Sequence, residues 1–204
     1  MTGVHIALHP FSFPPHHGGS PMLSFTSWNE HDIRLERMEG QPEPGFDCGR
    51  EAQNNFLYGR AWRDQKAGIS VTYLLYVSGI LAGFFTVMTD KLDLDRGEKL
   101  ARVFYTQVPA IKIAQLAVDR RFAGRGLGKL LVAAGVHLVR EIRTKVGCRV
   151  VTLDAQPDLV GWYESQSFRP NVHEQRVRIE RVQAAGGPVH PAVSMRFDLR
   201  EIRR

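Results

Sequence analysis

The residue pattern predicts an α/β fold of the α+β kind: a single domain with one mixed central sheet and helices on both faces. Three observations carry this. Short runs rich in Val, Ile, Tyr and Phe alternate with stretches of helical periodicity. Two adjacent strand-like runs are split only by Ser78-Gly79, a hairpin signal. A further strand-like run passes through a glycine-rich turn directly into a long amphipathic pattern. With 204 residues, 43% hydrophobic and 24% charged, the chain can bury one sizeable core.

Residues 1–30 read as a disordered tail, because His9-Pro10-Phe11 through Pro14-Pro15-His16-His17-Gly18-Gly19 forbids regular structure. His16 and His17 could bind a metal, but no carboxylate or cysteine nearby completes a ligand set. Residues 31–204 form the domain. Ile33, Leu35 and Arg37 alternate with Arg34, Glu36 and Met38 as a first strand. A helix follows from Arg50 to Lys66, with Ala52, Phe56, Leu57 and Ala61 on its apolar face. Ser70 to Val77 and Ile80 to Thr89 are the hairpin strands, and Asp90 to Lys99 is a polar excursion of loop and short helix. Ile111 to Val118 is the next strand. Gly126 to Val146 is a long helix on Leu127, Leu130, Leu131, Ala134, Leu138 and Ile142, stopped by Gly147. Val150 to Leu153, a short helix over Asp158 to Glu164, a basic segment (Arg176, Arg178, Arg181), a Gly186-Gly187-Pro188 loop and a strand from Ala192 to Leu199 complete the chain.

No apolar run reaches the ~18 residues a membrane span needs, and the N-terminus lacks the layout of a secretory signal. Two cysteines, Cys48 and Cys148, make no disulfide framework, so a reducing cytoplasm is the expected location. The net charge of +6, mostly arginine, suits an anionic partner without choosing one.

Chemistry concentrates in Leu116-Ala117-Val118-Asp119-Arg120-Arg121-Phe122-Ala123-Gly124-Arg125-Gly126-Leu127-Gly128-Lys129. A strand ends, glycines turn the chain, and a helix begins with amides and dipole set for an anion. A Walker loop is disfavoured: Ala123 stands where its first glycine belongs, and Leu130 stands where a hydroxyl should bind magnesium. A dinucleotide fingerprint also fails, since Lys129 replaces its third glycine.

Arg121-x-x-Gly124-x-Gly126 resembles the acetyl-CoA loop of the GNAT N-acetyltransferases. Leu116-Ala117-Val118-Asp119 resembles the family's preceding strand, and Gly161-Trp162-Tyr163-Glu164-Ser165-Gln166-Ser167-Phe168 its tyrosine-bearing helix and turn, with Ser167 where the family has glycine. Phe46-Asp47-Cys48-Gly49 is similar to a signature in a subset that includes toxins acetylating charged tRNA.

The resemblance implies acetyl-CoA as cosubstrate, with its pantetheine arm between splayed strands, Ile111–Val118 and Val150–Leu153. Backbone groups of Leu116, Ala117 and Val118 would hold the arm and polarise the thioester carbonyl. Backbone amides of Phe122, Ala123, Gly124, Arg125, Gly126, Leu127, Gly128 and Lys129 would hold the pyrophosphate, with charge from Arg121 and Arg125. It also implies direct attack by a primary amine, with Tyr163 as general acid. Cys48 and Cys148 as nucleophiles, Asp154 as acceptor-orienting group or helix cap, and Trp162 as pocket wall are weaker candidates. His137 is read as a surface or packing residue. The acceptor stays open between a small molecule, a peptide and charged tRNA; the last would bring a neutralising antitoxin. A homodimer and a non-catalytic acyl-CoA-binding module are the remaining alternatives.

Overall fold

A computed structural model describes residues 33–94, 100, 103–172, 184–185 and 192–200. Arg176, Arg178, Arg181 and the Gly186–Pro188 loop lie outside the described residues, as does the proposed tail. The chain runs β1 (Ile33–Arg37), α1 (Glu51–Phe56), α2 (Trp62–Lys66), β2 (Val71–Val77), β3 (Ile80–Asp93), β4 (Gln107–Val118), α3 (Leu127–Ile142), β5 (Val150–Ala155), α4 (Val160–Ser165), β6 (Arg169–Pro170) and β7 (Val193–Asp198). The strands form one seven-stranded sheet in the order β1-β2-β3-β4-β5-β7-β6. Every pair is antiparallel except β4 with β5.

Alternation along the strands sorts side chains to two faces. Leu75, Val77, Phe85, Val87, Ile113, Val151 and Leu153 pack with Leu127, Leu131 and Val139 of α3. Leu74, Phe84 and Ala117 face the other way, against Leu57 and Ala61. A smaller cluster of Leu92, Leu94, Leu100, Val108, Ala110 and Val150 closes the far end of the hairpin strands. That cluster explains one departure from expectation. The Asp90–Lys99 excursion begins as strand, because Asp90 to Asp93 pair with Ala110 to Gln107 while Leu92 and Val108 are buried between them. β4 accordingly begins at Gln107 rather than Ile111.

Three helical boundaries also differ. The first helix spans the expected residues but passes through a π-helical turn, Leu57–Ala61, between α1 and α2. The long helix ends at Ile142, a turn before Gly147, where Thr144 Oγ1 donates to the Glu141 carbonyl at 2.7 Å. The short helix starts with a 3₁₀ turn at Pro157–Leu159 and continues as α4. Proline at the first helical position suits such a start.

Candidate active site

β4 and β5 pair in parallel from Ala110 with Val150 to Ile113 with Leu153, and no further. Beyond that point β4 stays with β3 and β5 stays with β7. The two strands therefore part, but later than expected: Ile111–Ile113 and Val150–Leu153 are still paired, and the splay lies between Ala114–Val118 and the residues of β5 from Asp154 on. A β-bulge sits at the fork: Thr86 faces Gln115 and Val87 faces Ile113, leaving Ala114 extra. The extra residue bends the strand and exchanges its faces. Ile111 and Ile113 lie on the α3 side before it, and Leu116 and Val118 after it, while Ala117 turns to the opposite core. Between Ala114 and Val118, alternate residues aim N–H and C=O groups into the fork instead of at a neighbouring strand.

The fork opens into a cleft of about 320 Å³ lined by Ile113 to Val118 of β4, Leu153 and Asp154 of β5, and Gln156, Leu159, Trp162 and Tyr163 beyond it. Cys48, Arg50 and Gln53 line it from the segment around the start of α1. The N-terminus of α3 adjoins the same space. A Cβ on Gly128 would lie 3.3 Å from Trp162, so glycine there lets the helix approach the cleft wall. Gly124 (φ +74°) and Gly126 (φ +83°) hold left-handed backbone, and a Cβ built on either meets nothing within 4 Å. Glycine is needed there for the conformation, while the space beside it is open. Leu130 N–H bonds to Gly126 O at 3.2 Å, so the amides of the first helical turn precede the helix's own acceptors. An extended ligand with a phosphorylated end fits these parts: β-edge groups for its arm, helix amides for its anion.

The structure gives Arg121 a different setting from the rest of its loop. Its Nε and Nη2 donate to Asp119 at 2.9 and 2.8 Å, and Nη2 also donates to Gly45 O at 2.9 Å. Asp119 is almost fully buried and further accepts from the backbone N–H of Arg121 (2.8 Å) and of Asp47 (3.0 Å). Burial alone would raise its pKa, but these donors outweigh it and hold the carboxyl down at about 2. Asp47 in turn accepts from Gly49 N–H (2.7 Å), Asn54 (2.9 Å) and Arg120. Asp119 thus staples the turn after β4 to the Phe46–Gly49 segment, and Arg121 is part of that staple. Arg125 lies over the Phe122 ring, 5.8 Å from its centroid.

Tyr163 is buried with its ring against Trp162 (4.8 Å between centroids) and Phe168 (5.9 Å). Burial pushes its phenol up to about 12. The turn after α4 fixes the ring's place. Phe168 N–H bonds to Tyr163 O at 3.1 Å and Ser167 N–H to Glu164 O at 2.9 Å, a Schellman motif with Ser167 in the left-handed region at φ +67°. Serine keeps the backbone conformation that glycine would adopt without strain.

The remaining candidates separate. Cys48 lines the cleft, but its thiol lies 3.2 Å from Asn54 Oδ1 and burial raises its pKa, which disfavours thiolate. Cys148, outside the cleft lining, is also raised by burial. His137 is exposed on α3. Asp154 lies in the cleft wall and caps no helix; its Oδ2 accepts from Lys112 Nζ at 2.6 Å. Sequence reading missed Lys112, Arg50 and Gln53, whose positions depend on long-range pairing. Among the described residues no group of three or more His, Cys, Asp or Glu could hold a metal, and no helix is long and apolar enough to cross a membrane.

A sheet forked at its parallel pair beside open helix amides defines a class: an α/β protein whose split sheet can receive an extended, phosphate-bearing ligand. Residues 43–179 match the acetyltransferase (GNAT) domain family, and the chain belongs to it. It is an acetyl-CoA-dependent N-acetyltransferase. The chain is also similar to the tRNA-acetylating toxin of Mycobacterium tuberculosis (strain ATCC 25618 / H37Rv), 26% identical over 114 residues, or 55% of this chain and 69% of that protein. Similar folds include AtaT complexed with acetyl-methionyl-tRNAfMet, at TM-score 0.67 and 23% identity, covering 84% of this chain and 97% of the other. They also include a tyrosine-to-phenylalanine mutant of the AtaT toxin bound to the C-terminus of the antitoxin AtaR and acetyl-CoA, at TM-score 0.62 and 23% identity, covering 82% and 93%.

Proposed function

We propose that this acetyltransferase acts on the α-amino group of an amino acid esterified to tRNA, with Tyr163 as general acid. The observation that carries the reading is the cleft's chemistry. Among the described residues, its lining offers a buried phenol and no histidine or glutamate, and the one carboxylate there, Asp154, is ion-paired with Lys112. Such a site suits an acceptor amine that loses its proton at little cost. An α-amine with pKa near ~8 needs about 1 kcal/mol to deprotonate at neutral pH, against about 4–5 kcal/mol for a lysine side chain near ~10.4. The curated relative is named for acetylating tRNA, and a structure of similar fold carries acetyl-methionyl-tRNA. The net charge of +6 suits a polyanion.

When bound, acetyl-CoA supplies the activated acetyl group. The chain's own part is positional and protonic. The unpaired edge of β4, through Leu116 and Val118, orients the donor's arm. The amides of residues 122–129 receive its pyrophosphate. Tyr163, protonated at every working pH because burial holds its pKa at about 12, keeps a proton at its hydroxyl for the departing sulfur. The acceptor nitrogen loses one proton as the sulfur gains one, so the phenol is regenerated. The cytoplasm, where charged tRNA resides, is the matching compartment, and a cognate antitoxin the matching partner.

A salt titration of the rate tests the acceptor. For charged tRNA, kcat/KM falls steeply between low and physiological ionic strength, because each neutralised phosphate releases a counterion. A flat profile removes tRNA and leaves a small amine or peptide as the acceptor.

A further inference from the structure

Lys112 and Asp154 stand astride the fork. Lys112 belongs to β4 one residue before the last parallel pair, Ile113 with Leu153, and Asp154 is the first residue of β5 beyond it. Their neighbours Ile113 and Leu153 point into the core beneath α3, so both charged side chains project from the other face of the sheet. The α3 face of the fork is filled with apolar side chains, and Tyr163 belongs to that cluster. Asp154 lines the cleft and Lys112 adjoins it through their contact, so an acceptor entering the fork from the face opposite α3 would meet this pair. The pair is 2.6 Å apart, with side chains 26% and 30% exposed, so it is neither sealed in the core nor fully solvated. Among the described residues, charged groups of this face include Asp90 on β3, which accepts from Thr152 Oγ1 at 2.6 Å, Arg196 on β7, which donates to Asn171 Oδ1 at 2.8 Å, and Asp198 on β7, paired with Arg149 at 2.6 Å. Arg50, at the cleft mouth, is paired with Asp158 at 2.7 Å.

We propose that Lys112 and Asp154 form the acceptor subsite and recognise an α-aminoacyl ester as a unit. An aminoacyl ester presents an ammonium and, three bonds away, a carbonyl oxygen. A carboxylate and an ammonium side by side complement that pattern: Asp154 accepts from the α-ammonium and Lys112 donates to the ester carbonyl. Each charge offsets the other's effect on the bound amine, so the acceptor is held without being locked in its protonated form. A simple alkylamine lacks the carbonyl and loses half of the recognition. This inference rests on the proposed aminoacyl-tRNA reading and names the residues that read its reactive end.

The test compares the wild type with Asp154→Asn and Lys112→Met, using aminoacyl-tRNA and a free amino acid methyl ester as acceptors. Acetyl-CoA affinity measured on each variant reports the fold. The expected result is a tenfold or larger rise in KM for both acceptors in each variant, with acetyl-CoA affinity within about twofold of wild type. The midpoint of the kcat–pH rise should move in opposite directions: down for Asp154→Asn, which removes the anion favouring ammonium, and up for Lys112→Met, which removes the cation opposing it. A purely structural ion pair would shift neither midpoint. Unchanged midpoints, or acceptor KM values that move only in step with acetyl-CoA affinity, overturn the subsite while leaving the tRNA reading intact. A wild type that acetylates neither acceptor overturns both.

Discussion

Replacing Asp119 by asparagine removes the charge from the staple behind the glycine-rich turn proposed to receive acetyl-CoA. The side chain is 2% exposed and receives four N–H donors, from the backbone and guanidinium of Arg121 and the backbone of Asp47. Asparagine keeps one acceptor oxygen and sets an amide donor against these donors. The carboxyl is held at about 2 against an ordinary 3.8, which corresponds to about 2 kcal/mol of native stability at neutral pH. The sign follows from the lowered pKa: the contribution is complete above the unfolded value and fades as pH falls toward the folded one. Urea unfolding should therefore show Asp119→Asn less stable by about 2–3 kcal/mol at pH 7, with buried unpaired donors adding to the charge effect. The gap should narrow by roughly 1 kcal/mol at pH 3, where the unfolded wild type is already largely protonated. A gap below about 0.5 kcal/mol at pH 7, or one equal at both pH values, would refute the idea that ionised Asp119 holds the turn.

Tyr163→Phe should lower kcat by about 10²–10⁴-fold and leave acetyl-CoA affinity nearly unchanged in calorimetry. In the wild type, kcat/KM should rise once with pH as the acceptor amine deprotonates and show no descending limb until the phenol titrates near about 12. Gly126→Val forces a β-branched residue to a φ of +83° and fills the open space beside the helix amides; acetyl-CoA binding should be lost while circular dichroism still shows the helix. Ser167→Gly relieves a left-handed serine and should raise stability by about 1 kcal/mol in urea unfolding, without changing the rate.

What could be read from the residues was local. The glycine spacing of Gly124 and Gly126, the periodicity of Leu127 to Ile142 and the Ser78-Gly79 hairpin each carry their structure within a few neighbours, and all three match what the fold contains. The bulge at Ala114 has no such mark, since neither glycine nor proline announces it and only register against Thr86 and Val87 reveals it. The extension of β3 through Asp90 to Asp93 runs against strand propensity and is sustained by burial of Leu92 with Val108. Arg121 sits in a loop whose pattern suggests a phosphate ligand, yet its guanidinium answers to Asp119 and to Gly45, a residue 76 positions away. Lys112 carried no signal until topology set β4 beside β5. Ser167 shows the reverse: a departure from the family's residue that leaves the backbone conformation of the turn in place.

The most direct test is acetyl transfer from labelled acetyl-CoA with charged tRNA, the same tRNA uncharged, peptides and small amines offered side by side. Aminoacyl-tRNA should take the label, with the acetyl group released as N-acetyl amino acid when the ester bond is hydrolysed, and uncharged tRNA should stay blank. Label on uncharged tRNA, or on small amines and peptides with none on aminoacyl-tRNA, would contradict the account.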